Sequence, residues 1–211
     1  MDYKSISENA MKGTTTIGIV CSDGVVMGVD SRATMDTFIA STEAIKIHKI
    51  NDGLAMTIAG GVGDAEYLVK LSKSQNEMYS MNEGKPLSPR SLTSILSLVL
   101  QENKMMPFMV GLIVGGMTGT APEVYNIDAF GGEIKESKFT ATGSGSLTAL
   151  GYLEDVYKES ITTQEAVRHA VKALTVAIRR DSATGNTIRV VVMTKGGYKE
   201  YSGGELDKFM K

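Results

Sequence analysis

The spacing of hydrophobic positions along this chain changes rhythm four times. Thr14 to Cys21 (TTTIGIVC) is rich in β-branched residues and predicts a strand. Ser22-Asp23-Gly24 is turn chemistry, and Val25 to Asp30 follows as the returning strand of a hairpin. Residues 38 to 50 (FIASTEAIKIHKI) predict further strand with interruptions. Asn51-Asp52-Gly53 then turns the chain into an apolar strand, Leu54 to Ala59. Helical spacing takes over from there. Asp64 is a candidate cap for a helix with Leu68, Leu71 and Met78 on one face. Ser88-Pro89 starts a second helix, with proline where its missing N–H costs nothing, and Leu92, Ile95, Leu96, Val99 and Leu100 line its face. Strands return at Phe108 to Val114, Glu123 to Asp128 and Ile134 to Thr142. A third helix is predicted from about Leu147 to Lys158. A fourth starts at Thr162, where Thr162 and Glu165 fit a capping box, with Val167, Ala170, Val171, Leu174 and Ile178 on its face. Thr187 to Thr194 is a strand, and Lys195-Gly196-Gly197 turns into a last one.

The order is strands, two helices, strands, two helices, strands. Hairpin turns dominate, so the sheets should be mainly antiparallel. Two such sheets packed face to face, with a helix pair outside each, would bury every apolar face named above. The expected class is α+β, a four-layer αββα sandwich. With no linker, low-complexity run or repeat, one domain is expected.

Composition narrows the function. The chain has 211 residues, 42% of them hydrophobic, enough for a well-filled core. A net charge of -2 argues against an electrostatic grip on nucleic acid or an acidic membrane. The single cysteine, Cys21, excludes an internal disulfide and a cysteine-based zinc cage, and two histidines, His48 and His169, argue against a His-rich metal site. No metal or cofactor is expected. The longest apolar run, Met109 to Met117, is far short of the roughly 20 residues a membrane helix needs. The first thirteen residues are polar and lack the apolar core of a secretory signal. They read as a short leader on a cytoplasmic chain.

The run after Gly13 carries the candidate chemistry. Read plainly, Thr14, Thr15 and Thr16 begin a strand. The sharper reading is a cut between Gly13 and Thr14, which would give Thr14 both a hydroxyl and a free α-amine. A threonine hydroxyl needs an adjacent base before it can attack an amide. An α-amine, with a pKa of about 7.7–8.0, can accept that proton near neutral pH. Glycine before the cut lets the backbone bend so that the hydroxyl reaches the Gly13 carbonyl. The hairpin brings Asp30 near the level of Thr14. A lysine reaching the same place, Lys46, would be held by Asp30 and sit beside the amine, where like charges lower each other's proton affinity. Taken alone, Asp30 and Lys46 read as a structural ion pair.

Six segments in order then resemble one family: GTTTIGIV at 13–20, GVDSRAT at 28–34, Lys46 in AIKIHKI, TIAGGVGDAE at 57–66, TGSGS at 142–146 and RDSATGN at 180–186. Together they closely resemble a proteasome β subunit, nearest the archaeal type with a single catalytic β chain. The resemblance implies the N-terminal-nucleophile hydrolase fold and a threonine protease matured by autocatalytic removal of residues 1–13, leaving 14–211 as one catalytic domain. It implies Thr14 as nucleophile, Asp30 and Lys46 as its charged partners and the Gly60 N–H as oxyanion donor. Ser144 and Asp181 would support the Thr14 amine, with Thr184 where the family often has serine. Ala33, Ala44, His48, Ile58, Val62 and Glu66 would surround the substrate side chain. Most are small or apolar, favouring cleavage after hydrophobic residues, whereas Glu66 could invite a basic one. Expected partners are seven-membered β rings of this chain, flanking α-subunit rings, a regulatory ATPase and unfolded polypeptide.

Other readings compete. A non-catalytic ring subunit would have no need of both Thr14 after Gly13 and Lys46. The bacterial two-ring relative has shorter chains, and a small-molecule amidohydrolase of the same superfamily is more distant. Gly143-Ser144-Gly145-Ser146 before a helix could cradle an anion, but the chain has no GxxxxGK[ST] run. Cys21 reads as a buried strand residue, His48 as a sheet residue, His169 as a helix-surface residue and Arg32 as structural.

Overall fold

The computed structural model describes residues 13–35 and 37–210. The expected leader, Gly13 apart, lies outside the described residues. Twelve strands are described: β1 (Thr15–Cys21), β2 (Gly24–Val29), β3 (Ala33–Met35), β4 (Phe38–Ser41), β5 (Ile47–Asn51), β6 (Leu54–Gly60), β7 (Val110–Thr118), β8 (Ala121–Ile127), β9 (Glu133–Glu136), β10 (Phe139–Gly143), β11 (Arg189–Thr194) and β12 (Gly197–Ser202). The helices are α1 (Val62–Glu83), α2 (Pro89–Glu102), α3 (Ser146–Val156), α4 (Thr163–Arg180) and a terminal turn, α5 (Asp207–Met210).

One sheet runs β10-β1-β2-β11-β12 and the other β5-β6-β7-β8-β9, while β3 and β4 form a separate hairpin. Every pairing is antiparallel. Three apolar layers hold the sandwich. Ile17, Ile19 and Val190 of the first sheet meet Val167, Leu174 and Leu153 of α4 and α3. Met56, Ile58 and Leu112 of the second sheet meet Leu68 of α1 and Leu92, Leu96 and Leu100 of α2. Between the sheets lie Met27, Val29, Val191, Ala55, Ile113 and Val124. The layer order is therefore helix pair, sheet, sheet, helix pair, as expected. The sheets approach so closely at Gly18 that a Cβ there would stand 3.0 Å from Ile113.

Local chemistry sets the helix starts. Ser88 accepts from the Ser91 N–H at the head of α2. At α4 the Thr162 hydroxyl accepts from the Glu165 N–H at 3.3 Å, and the Glu165 carboxylate accepts from the Thr162 N–H at 3.0 Å.

Several expectations are corrected. The cap of α1 is Gly61, because the Asp64 carboxylate instead accepts from the Met109 N–H at 2.7 Å. Met78 is exposed, since α1 buries a narrow stripe through Leu68, Val69, Ser72 and Asn76. Residues 134–142 are not one strand. The chain leaves the second sheet after Glu136 and crosses to pair β10 with β1 in the first. An apolar pattern records that a face is buried, not which sheet buries it, so the crossover had no signature. Lys46 stands one residue before β5 rather than within a strand.

Candidate active site

The element ends converge at one end of the sandwich. Thr14 directly precedes β1 and Asp30 directly follows β2, and the hairpin register Thr16↔Val29 sets them level. Thr15 lies opposite Gly143, so the end of β10 delivers Ser144 to Thr14. Asp181 caps the C-terminus of α4. Across the sheet interface, Lys46 leads into β5 and Gly60 ends β6.

Asp30 is fully buried and accepts four hydrogen bonds. Its Oδ1 takes the Thr15 N–H at 2.9 Å and Lys46 Nζ at 2.8 Å. Its Oδ2 takes the N–H groups of Arg32 at 3.1 Å and Gly185 at 2.9 Å. Arg32 in turn donates to Ser182 O and Asn186 Oδ1, clamping the loop that carries Asp181 and Thr184. Lys46 is also buried. Burial pushes its ammonium below the ordinary lysine range, and the Asp30 carboxylate opposes that shift.

The Gly13–Thr14 peptide bond is gripped on both sides. The Thr14 hydroxyl donates to the Gly13 carbonyl oxygen at 2.7 Å, and Lys46 Nζ donates to the same oxygen at 2.9 Å. Gly13 adopts φ +118, where a Cβ would stand 2.2 Å from Thr34 Oγ1. Only glycine suits this backbone. Ser144 gives its one hydrogen to Asp181 Oδ2 at 2.5 Å, leaving its lone pairs to accept from the N–H groups of Gly13 at 3.3 Å and Thr14 at 3.4 Å. Thr184 also donates to Asp181 Oδ2, so its oxygen accepts from Thr15 Oγ1 at 2.7 Å. With a carboxylate beside Ser144, the glycine-rich turn is poorly suited to an anion.

Thr15 was not anticipated. Its signal is strand alternation, which turns Thr15 away from Thr14 and toward the helix layer. Gly60 has φ +133, and a Cβ there would fall 1.9 Å from the Met109 carbonyl oxygen. His48 and Ile58 lie on neighbouring strands, Ile58 packing beneath α1, while Val62 and Glu66 sit exposed on the first turns of α1. Ala33 and Ala44 are half-buried on the other side of Lys46 in sequence, with the Ala44 N–H donating to Ser31 O at 2.9 Å. Glu66 pairs with Lys70 at 3.2 Å. A cavity of about 430 Å³ that the sequence did not reveal lies beside Ser144, lined also by Ala59, Val110, Gly111, Asn126 and Thr142.

Outside the site, Cys21 is buried in β1, and burial raises its thiol pKa well above the ordinary value, which makes it a poor nucleophile. His169, half-buried on α4, meets Tyr152 through Nδ1 at 3.0 Å. Among the described residues no cluster of side chains could hold a metal ion, and no helix is long and apolar enough to cross a membrane.

The layers and their convergent end define the N-terminal-nucleophile hydrolase fold class. A family model described as proteasome subunit matches residues 10–193. A protein of Methanohalophilus mahii named proteasome subunit beta is 47% identical over 205 residues, covering 97% of this chain and 98% of its own. Proteins of the same name from Methanosphaerula palustris and Archaeoglobus profundus are each 45% identical, covering 94% and 97% of this chain and 94% and 95% of their own. The chain belongs to the proteasome subunit family.

Proposed function

We propose that this chain is a threonine endopeptidase, the catalytic β subunit of a proteasome core, and that it exposes its own nucleophile by cutting the Gly13–Thr14 bond. One observation carries the reading: the Thr14 hydroxyl and the buried Lys46 ammonium meet on the Gly13 carbonyl oxygen, at 2.7 and 2.9 Å. A pure scaffold has no use for that convergence.

In the self-cut, Thr14 Oγ bonds to the Gly13 carbonyl carbon while Lys46 polarises its oxygen. The C–N bond breaks, and the hydroxyl proton ends on the released amine. Water then hydrolyses the Gly13–Oγ ester and frees Thr14. In peptide hydrolysis the same oxygen bonds to the substrate carbonyl carbon. The Thr14 amine, beside Ser144 and through it Asp181, takes the hydroxyl proton and passes it to the leaving amine. The substrate C–N bond breaks to leave an acyl ester on Thr14 Oγ. Lys46, charged and fixed by Asp30, lowers the hydroxyl pKa. The Gly60 N–H is assigned to the developing oxyanion, a donor worth about 3 kcal/mol in comparable sites. Water completes turnover by hydrolysing the acyl ester.

Ala33, Ala44, His48, Ile58 and Val62 are assigned to the substrate side-chain pocket. Most of these side chains are small or apolar, which supports a preference for hydrophobic over basic residues. Family membership supports assembly of β rings with α-type rings. Seven-membered rings, an ATPase that feeds the chamber and unfolded polypeptide as substrate complete the proposal.

The test is N-terminal sequencing and peptide hydrolysis of the chain assembled with its α-type partner. The parent should begin at Thr14 and cleave after Leu or Tyr faster than after Arg. Thr14→Ala should retain residues 1–13 and lose hydrolysis. Retained hydrolysis in that variant would exclude Thr14 as nucleophile.

A further inference from the structure

The layer between the two sheets is mostly apolar, but it carries polar crossings: Asn126 of β8 donates to Thr140 of β10 at 2.8 Å, and nearer the site stands a chain of hydroxyls. Thr57 of β6 donates to Thr16 Oγ1 of β1 at 3.1 Å, crossing from one sheet to the other. Thr16 Oγ1 and Thr142 Oγ1 of β10 stand 2.7 Å apart. Because Thr16 accepts from Thr57, its own hydrogen is left for Thr142. Thr16 and Thr57 are both fully buried. Elsewhere the same layer is filled by Met27, Val29, Ile47, Ala55, Ile113 and Val191. Buried hydroxyls lose hydration and need partners, so valine would serve packing alone at these positions.

Placement gives the bridge its meaning. Thr16 follows Thr14 by two residues, one pleat of about 7 Å on the same strand face. Thr57 precedes Gly60 by three residues on the strand that ends there. Thr142 precedes Gly143 and Ser144 and forms part of the wall of the cavity beside them. The three strands that deliver Thr14, Gly60 and Ser144 are thus tied to one another two to three residues behind the reacting atoms. Apolar contact alone is non-directional and lets sheets slide, whereas hydrogen bonds fix a separation and a register.

We infer that Thr57, Thr16 and Thr142 are positioning residues, a directional bridge that sets the spacing between the nucleophile on one sheet and the oxyanion-binding strand end on the other. The inference rests on the catalytic reading above. A bridge of this kind acts on the transition state more than on substrate binding, and small misplacements of a catalytic group cost large factors in rate.

The test uses the full chain assembled with its α-type partner, with rates normalised to chains that begin at Thr14. Thr57→Val and Thr16→Val should each lower kcat for a fluorogenic peptide by about tenfold or more, with KM changed by less than about twofold. Thr57→Ser, which keeps the hydroxyl, should restore kcat to within about threefold of the parent. The double variant should lose less than the product of the two single losses, because both break one bond. Unchanged kcat, a loss carried by KM, or no rescue by serine would overturn the bridge. If Thr57→Val fails to assemble, Thr142→Val at the half-exposed end decides: a fall in kcat at constant KM supports the bridge, and an unchanged kcat overturns it. Thr14→Ala in the same assay separates the two ideas, since activity surviving there sinks the nucleophile assignment, while its loss alongside a fully active Thr57→Val sinks only the bridge.

Discussion

Burial lowers the pKa of Lys46 from the ordinary value of 10.5, and Asp30 at 2.8 Å only partly offsets the cost of taking the ammonium out of water. The direction has a consequence for folding. In the window just below 10.5 the unfolded chain still holds this proton while the folded chain has begun to release it. The unfolded state then binds more protons, so this residue makes stability rise with pH through that window. Lys46→Met, which keeps the length and removes the charge, should flatten that rise. Denaturant unfolding across the window for parent and variant, compared as a difference, checks it, and an unchanged slope would contradict the assignment. The same variant should also keep residues 1–13. The pairing of Asp30 with Lys46 was legible as a motif. The further bonds from Thr15, Arg32 and Gly185 to the same carboxylate were not, because they are backbone donors and carry no residue-type signature.

Strand and helix ends, more than their middles, build this site. Gly60 closes β6 at φ +133 with the Met109 carbonyl oxygen where a Cβ would stand. Gly60→Ala is expected to shift that strand end, lowering peptide hydrolysis by about a hundredfold and stability by about 1–3 kcal/mol. Gly151 offers the contrast: it lies inside α3 with nothing within 4 Å of its added Cβ. Gly151→Ala should raise stability by about 0.5–1 kcal/mol and leave kcat alone. Thermal unfolding and kcat for the pair check both statements. Elements were readable wherever a side chain made its own local bond, as at Ser88, Thr162 and Glu165. They were unreadable where a distant partner decided. Asp64 serves Met109 rather than its own helix, and β9 and β10 part company between two sheets.

At the scale of the molecule, the sandwich leaves apolar side chains on its outside. Met35, Phe38 and Ile39 of the β3–β4 hairpin stand 71%, 66% and 42% exposed, as suits a chain whose surface is completed by neighbours in a ring. The layer order was predictable from alternating periodicity because each apolar face has only one economical partner. The site was predictable only as a set of motifs, since the distances that join them depend on how two sheets meet. The grip on Gly13 has one more implication. The carbonyl that Thr14 and Lys46 both hold belongs to their own backbone, so the proposed first cut is unimolecular. Its rate constant should not change when preassembled particles are diluted a hundredfold, as mass spectrometry of the two N-termini over time would record. A dilution-dependent rate would mean that one particle trims another. On the proposed function, each copy is blocked by its own preceding residue until that cut.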